Sequence, residues 1–253
     1  MTPYRMKEKL LFGFFISLLM LFVLPQTASG QNKKINPRDT MTVTDRYGLK
    51  LGVDLFKPVR SMIDEDFKGF EVVADYRLTK KHWLAAEIGY DEKTTDDDNQ
   101  NFTTEGAYLK AGFDYNMHKN WIGLENSINL GLRGAYSTFS QTLNTFNIQS
   151  DNPFLGENTI VDGTKYSSLT ASWIEVVFGI KVQVVHNVYV NANVQFKRLF
   201  NDTQPEGFKN LYIPGFNKVN DFNDFGFGFS YSVSYFIPIY KKDREKPTAK
   251  KNK

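Results

Sequence analysis

Phe225-Gly-Phe-Gly-Phe-Ser-Tyr-Ser-Val-Ser-Tyr235 alternates without a break. Every odd position is large and apolar. Gly226, Gly228, Ser230, Ser232 and Ser234 stand between them. A period of two is the mark of an extended strand, whose successive side chains point to opposite faces. The polar face of this strand is also its small face. Such a face suits a narrow enclosed interior and would be odd for a solvated exterior, so the aromatic face is expected to point outward.

Working back along the chain, the same alternation recurs in seven more runs, over 47–55, 70–78, 84–90, 107–115, 122–132, 174–184 and 188–196. Asn126 interrupts the apolar face of the fifth, where either a bulge or a register error is expected. The connections alternate too. Short turns at 79–82, 116–120 and 186–187 trade places with long ones at 57–68, 91–105, 137–170 and 201–223. Short turns at one end and long loops at the other are the plan of an outer-membrane barrel, and an even strand count returns both termini to one side. The expected fold is all-β: an eight-stranded antiparallel transmembrane β-barrel, an up-and-down meander over residues 46–240, with both termini periplasmic.

Alternation alone does not say which face is outside, because a soluble lipocalin-like barrel alternates as well. Three arguments favour the membrane form. Eight strands enclose only enough space for side chains or one small ligand, too little for about forty apolar side chains. Aromatic residues cluster where the strands end: Trp83, Tyr115, Trp121, Tyr189 and Tyr240 near the short turns, and Tyr90, Phe139, Trp173, Phe200 and Phe225 near the long ones. Two aromatic belts are expected at the two bilayer interfaces. Finally, the inward face carries Lys50, Arg77, Lys110, Arg133, Lys181 and Lys197 against Asp54, Glu71, Asp75, Glu87, Asp114, Glu125 and Glu175. These six bases and seven acids can nearly neutralise one another, as buried charges must. A paired network fills a lumen, whereas a selective pore has a lining of one sign.

The ends of the 253-residue chain differ from its middle. Arg5, Lys7 and Lys9 precede an apolar run from Leu10 to Leu24, then Pro25 and the small residues Ala28-Ser29-Gly30. This reads as a secretory signal peptide over 1–30, cleaved near Gly30. Residues 31–45 read as a flexible lead-in. Residues 241–253 hold seven bases and two acids and read as a basic, disordered periplasmic tail. The formal charge of +3 comes from these ends. Residues 31–240 carry 21 bases and 25 acids, which argues against nucleic-acid binding. The absence of cysteine excludes disulfides, thiol catalysis and a lipoprotein anchor.

The signal peptide, the eight alternating strands and the loop order resemble the small OmpA/OmpX-type outer-membrane barrels. More closely, they resemble an uncharacterised Bacteroidota family of secreted barrel proteins. Asp224-Phe-Gly226-Phe-Gly-Phe229-Ser-Tyr231 is similar to the signal read by the barrel-insertion machinery, although that signal usually closes the chain. The resemblance implies a partnership with that machinery, with outer-membrane lipid and with lipopolysaccharide. Asp39-Thr40-Met41 resembles a Bacteroidota O-glycosylation sequon.

Chemistry-bearing motifs are sparse. His82, His118 and His186 all fall in the short turns and read as solvated turn residues, without the companion spacing of a metal site. No nucleophile elbow, phosphate loop or dinucleotide fingerprint is present. Asp96-Asp97-Asp98-Asn99 lacks the spacing of a calcium loop and reads as a solvated acidic loop. No enzyme, cofactor or metal is expected. Loops 137–170 and 201–223 are rich in apolar residues, among them Phe208, Leu211, Tyr212, Ile213 and Phe216. They are the candidates for an unknown surface partner, with self-packing over the barrel mouth as the equal alternative. The expected function is structural or interactive, for a monomer with a closed lumen. The alternatives are a small channel for ions or solutes and a soluble periplasmic lipid-binding barrel with its apolar face inside.

Overall fold

A computed structural model of the chain describes residues 42–97, 100–118, 126–148, 158–205, 209–219 and 223–245. The expected signal peptide, most of the lead-in, Trp121 and Glu125 lie outside them. Among the described residues, the elements in order are β1 (Thr42–Asp54), α1 (Phe56–Ile63), β2 (Phe67–Arg77), β3 (His82–Asp97), β4 (Gln100–Asn116) and β5 (Ser127–Ile148). Then come β6 (Asn158–Val185), β7 (Val188–Asp202), the short strands β8 (Tyr212–Ile213) and β9 (Asn217–Lys218), and β10 (Phe225–Glu245). Eight strands close into a barrel in the order β1-β10-β7-β6-β5-β4-β3-β2, each beside its predecessor in the chain apart from the β8–β9 hairpin. The pairings are antiparallel, with Glu87 opposite Lys110 and Phe229 opposite Val194 as examples. No helix among the described residues is long and apolar enough to cross a membrane.

The polarity of the barrel is the reverse of a water-soluble one. Along β3, Leu84, Ile88 and Tyr90 are exposed while Glu87 and Asp91 are buried. Leu109, Phe113, Leu132, Val176, Phe196 and Phe227 likewise stand outside, around a buried row of charges. The lipid-binding alternative required the opposite, an apolar lumen. It is overturned by the side-chain parity of the strands.

Several boundaries differ from expectation. β1 begins at Thr42, inside the expected lead-in, and β10 runs to Glu245, inside the expected tail. The long loop expected at 137–170 is largely strand. β5 and β6 extend through it, with Phe139 opposite Leu169 and Phe146 opposite Ile160. Register shifts interrupt this extension near Ser140 and Asn144, the first beside Ser168, whose φ of 62° is left-handed. Among the described residues of the fifth run, 126–132, no bulge occurs. β5 starts just after Asn126, whose Oδ1 accepts the Gln183 N–H at 3.0 Å.

The interior has three layers. At the short-turn end, Trp83, Tyr189 and Phe236 pack together. At the other end, Tyr108, Phe139, Leu169, Trp173 and Leu199 surround Ile213 and Phe216 of the β8–β9 hairpin. Charges occupy the space between. Trp83, Tyr189, Trp173 and Phe139 therefore do not serve as interface aromatics; all are buried inside the barrel. The reason is parity: Trp83 shares a face with Glu87, Tyr189 with Asn191, and Trp173 with Glu175. Tyr115, half-buried, and Tyr240, exposed, do lie at the surface, and Tyr240 stacks on Tyr47 with ring centroids 5.0 Å apart.

Candidate functional site: the charged lumen and its roof

The described members of the expected charge network, Lys50, Asp54, Glu71, Asp75, Arg77, Glu87, Lys110, Asp114, Arg133, Glu175, Lys181 and Lys197, are all buried in the interior. Most of them form one linked series of alternating sign. Asp75 meets Lys181 at 2.6 Å, Lys181 meets Asp114 at 3.1 Å, and Asp114 meets Arg133 at 3.2 Å. Arg133 meets Glu87 at 3.1 Å, and Glu87 meets Lys110 at 2.9 Å. Lys110 then branches to Glu71 at 3.3 Å and Glu175 at 3.8 Å, and Glu175 faces Lys197 at 3.5 Å. Six strands contribute. Neutral donors add to two of the carboxylates: the Tyr108 hydroxyl donates to Glu71 at 2.5 Å and Trp173 Nε1 donates to Glu175 at 2.8 Å. Every charge of the series is thus paired, as burial requires, while Glu175 Oε2 and Arg133 Nε are buried without a hydrogen bond.

Three expected members stand apart from the series. Lys50 places its ammonium over the rings of Trp83 (4.5 Å) and Tyr189 (3.7 Å), a cation–π seat. Arg77 donates to the Arg46 carbonyl at 2.7 Å and lies over Trp83 and Tyr47. Asp54 accepts the Lys57 N–H at 2.8 Å and the Tyr231 N–H at 3.1 Å, so it anchors the entry to α1 and the wall of β10.

Sequence reasoning missed Asp91, which is fully buried. Its carboxylate receives Lys57 Nζ at 2.5 Å, the Gly215 N–H at 3.0 Å and the Tyr212 hydroxyl at 3.3 Å. One side chain thus ties α1, β3 and the β8–β9 hairpin together. Its parity with Glu87 carried the signal; the helix that supplies Lys57 had none.

The hairpin is the roof of the lumen. Tyr212 pairs with Lys218 and Ile213 with Asn217 around a Pro214-Gly215-Phe216 tip. Gly215 has φ +81°, and a Cβ there would lie 2.5 Å from the Tyr108 ring. Lys197 Nζ donates to the Gly215 carbonyl at 2.6 Å, and Phe216 sets its ring edge-on to Trp173 at 5.8 Å. Tyr212, Ile213 and Phe216 were candidates for a surface partner. All three are buried, so the loop over 201–223 spends them on packing over the barrel mouth. At the rim, Asp64 joins α1 to β3. Burial works against its charge, but Lys93 at 3.1 Å and Arg60 at 3.3 Å outweigh it and hold the carboxyl below its usual range.

Residues 11–242 match the family model described as "Domain of unknown function (DUF6048)". No curated protein sequence matches the chain. Among solved structures, the chain is similar to Ail, the attachment invasion locus protein of Yersinia pestis. The identity is 9%, coverage is 78% of this chain and 100% of that one, and the TM-score is 0.39. It is also similar to CarO2 of Acinetobacter baumannii, at 10% identity, the same coverages and a TM-score of 0.33.

Proposed function

This chain belongs to the DUF6048 family, and we propose that it is an outer-membrane β-barrel with a closed lumen and a structural or interaction role, without catalysis. One observation carries the reading: large apolar side chains cover the outside of a barrel whose inside is a paired charge network. Ile88 and Phe227 are 58% and 61% exposed, whereas Glu87 and Lys110 are 5% and 2% exposed. In water such an exterior would be a continuous apolar patch far beyond what soluble monomers tolerate. In a bilayer it is the required surface, and the barrel's ladders satisfy the backbone along the paired strands.

The lumen is read as closed because aromatic layers cap it at both ends and ion pairs fill the middle. In this reading the signal peptide exports the chain and the barrel-insertion machinery places it beside lipopolysaccharide. The short turns and both termini face the periplasm. The extended β5–β6 ribbon is then the outward surface for a partner, and Val161 on it is 79% exposed.

The test begins with washed membranes run on SDS gels with and without boiling. A band in the outer-membrane fraction that migrates differently unboiled is expected, followed by no steady conductance in planar bilayers. Soluble periplasmic protein without a shift would overturn the membrane reading. Stable conductance steps would overturn the closed lumen and favour a channel.

A further inference from the structure

Arg198 stands on the outer face of β7, opposite Ile174 of β6 and Phe225 of β10. It shares parity with Phe196 and Phe200, so its side chain points away from the lumen and is exposed. The guanidinium carbon lies 5.6 Å from the Phe225 ring centroid and 5.8 Å from that of Phe200. Phe196 and Phe227, edge-on at 5.5 Å, continue the same apolar wall toward the short turns. Two rings thus seat the cation by cation–π attraction, which uses none of its N–H donors.

Two other outward cations at this end of the wall are matched by acids. Lys68 meets Glu92 at 3.0 Å, and Lys165 meets Glu105 at 2.6 Å. Arg198 differs from both. Among the described residues it makes its ring contacts but no ion pair and no side-chain hydrogen bond. Asp224, the acid beside Phe225, accepts the Leu199 N–H on its carbonyl at 2.8 Å and forms no ion pair with Arg198.

Depth decides what such a cation meets. Arg198 lies ten residues beyond Val188, where β7 leaves its short turn. At about 3.3 Å per residue and a tilt of about 40°, that is about 25 Å along the barrel axis, the height of an outer-membrane apolar band. The guanidinium therefore stands at the interface on the long-loop side, where a charge on the lipid face costs least.

An unspent guanidinium at headgroup level, with an apolar wall below it, matches a phosphate carried on acyl chains. We propose that Arg198 binds a phosphate of an outer-leaflet lipid, whose acyl chains lie along Phe196 and Phe227. The proposal rests on the outer-membrane reading. The planar fork of arginine grips two phosphate oxygens at once, which an ammonium does not.

The test uses the purified full-length barrel in a zwitterionic detergent. Native mass spectrometry would follow titration with lipid A or with lipid A stripped of its phosphates. The wild-type protein is expected to retain the phosphorylated lipid at about tenfold lower concentration, the scale of one charge-assisted hydrogen bond. Arg198→Gln should abolish that preference, and Arg198→Lys should keep only part of it. Lys165→Gln lowers the net charge equally but removes a cation already matched by Glu105, so it should leave the preference in place. Equal binding of the two lipids by wild type, or a preference that survives Arg198→Gln, would overturn the proposal. So would an equal loss in Lys165→Gln, which would mark diffuse surface charge. Complete displacement by inorganic phosphate would overturn it too, by marking a site for soluble anions. Unboiled gel migration of the same samples separates the two levels. Loss of the shift in wild type overturns the barrel and the lipid seat together, whereas an intact barrel without lipid preference overturns the seat alone.

Discussion

Lys110→Met removes the branch point of the lumen network. The ammonium lies 2.9 Å from Glu87, 3.3 Å from Glu71 and 3.8 Å from Glu175. Opposite charges at about 4 Å attract by about 4 kcal/mol at an effective dielectric of about 20. Burying an ammonium costs several kcal/mol, so the net effect lies well below three such attractions. The carboxylates are also not fully orphaned. Glu87 keeps Arg133, Glu71 keeps the Tyr108 hydroxyl and Glu175 keeps Trp173. The expected loss is therefore about 3 kcal/mol, the lower end for breaking a buried pair. Methionine fills the stem volume, so little of that loss is a cavity effect. The assay is urea unfolding of the reconstituted barrel, followed by unboiled gel migration. Adding Glu87→Gln should recover at least about 1 kcal/mol, because the uncompensated charge falls. A loss below about 1 kcal/mol for the single variant would refute the reasoning, since it would mean that the lumen solvates its charges as water does.

Three further outcomes follow from the geometry. Gly215→Ala forces a Cβ against the Tyr108 ring at φ +81°, so the hairpin should loosen by about 1–3 kcal/mol; proteolysis within 209–219 should accelerate and the fluorescence of Trp173 should change. Leu132→Arg puts a charge on the outer face between Ile128 and Tyr136, and should cost about 2–4 kcal/mol in a bilayer; a stability unchanged in vesicles would count against the membrane assignment. Asp64 has a lowered pKa in the folded chain, so its contribution is complete above the unfolded carboxylate pKa and fades as pH falls through the folded one. Acidification should therefore expose the Arg60 bond to protease, whereas Asp64→Asn should be susceptible even at neutral pH.

The period-two runs read correctly into strands because each had one small or charged face and one apolar face. Parity then placed Glu87, Lys110 and Arg133 inside without further information. The same parity also put Trp83, Tyr189 and Trp173 inside. Reading them as interface residues gave weight to their position at strand ends over the face they share with charged neighbours. The β5–β6 extension was hidden for a different reason. Ser137 to Asn144 offers Ser, Thr and Gln with only Phe139 and Leu143 as apolar markers, and its ladder persists because the partner strand is already in place. α1 is eight residues long, too short to be stable alone, and exists because the gap beside β1 receives it. The roof hairpin has a Pro-Gly turn signal, but its two-residue strands gave no alternation to read. The space beside Trp173 and the carbonyl-seeking Lys197 determine where it packs.

The charges in the lumen also solve a problem of register that apolar patterning cannot. A one-residue slip between neighbouring strands turns every apolar side chain inward, so the polarity of the barrel forbids it. A two-residue slip keeps every side chain on its proper face, and the apolar pattern is nearly blind to it. The charge pattern is not. Glu87 stands opposite Lys110, Arg133 opposite Glu175, and Glu175 opposite Lys197. Moving β3 by two residues along β4 would set Glu87 against Tyr108 or Gly112 and leave Lys110 facing Ala85 or Gly89. Each such move strands buried charges, at a cost of about 3–5 kcal/mol per broken pair. Odd slips are thus excluded by hydrophobicity and even slips by electrostatics. Replacing the whole series with neutral residues of similar volume should therefore give a barrel that still inserts. Its cross-strand cysteine pairs should then form in two registers, where the wild-type network allows only one. A single register in the neutral variant would show that turns and bulges alone fix the pairing.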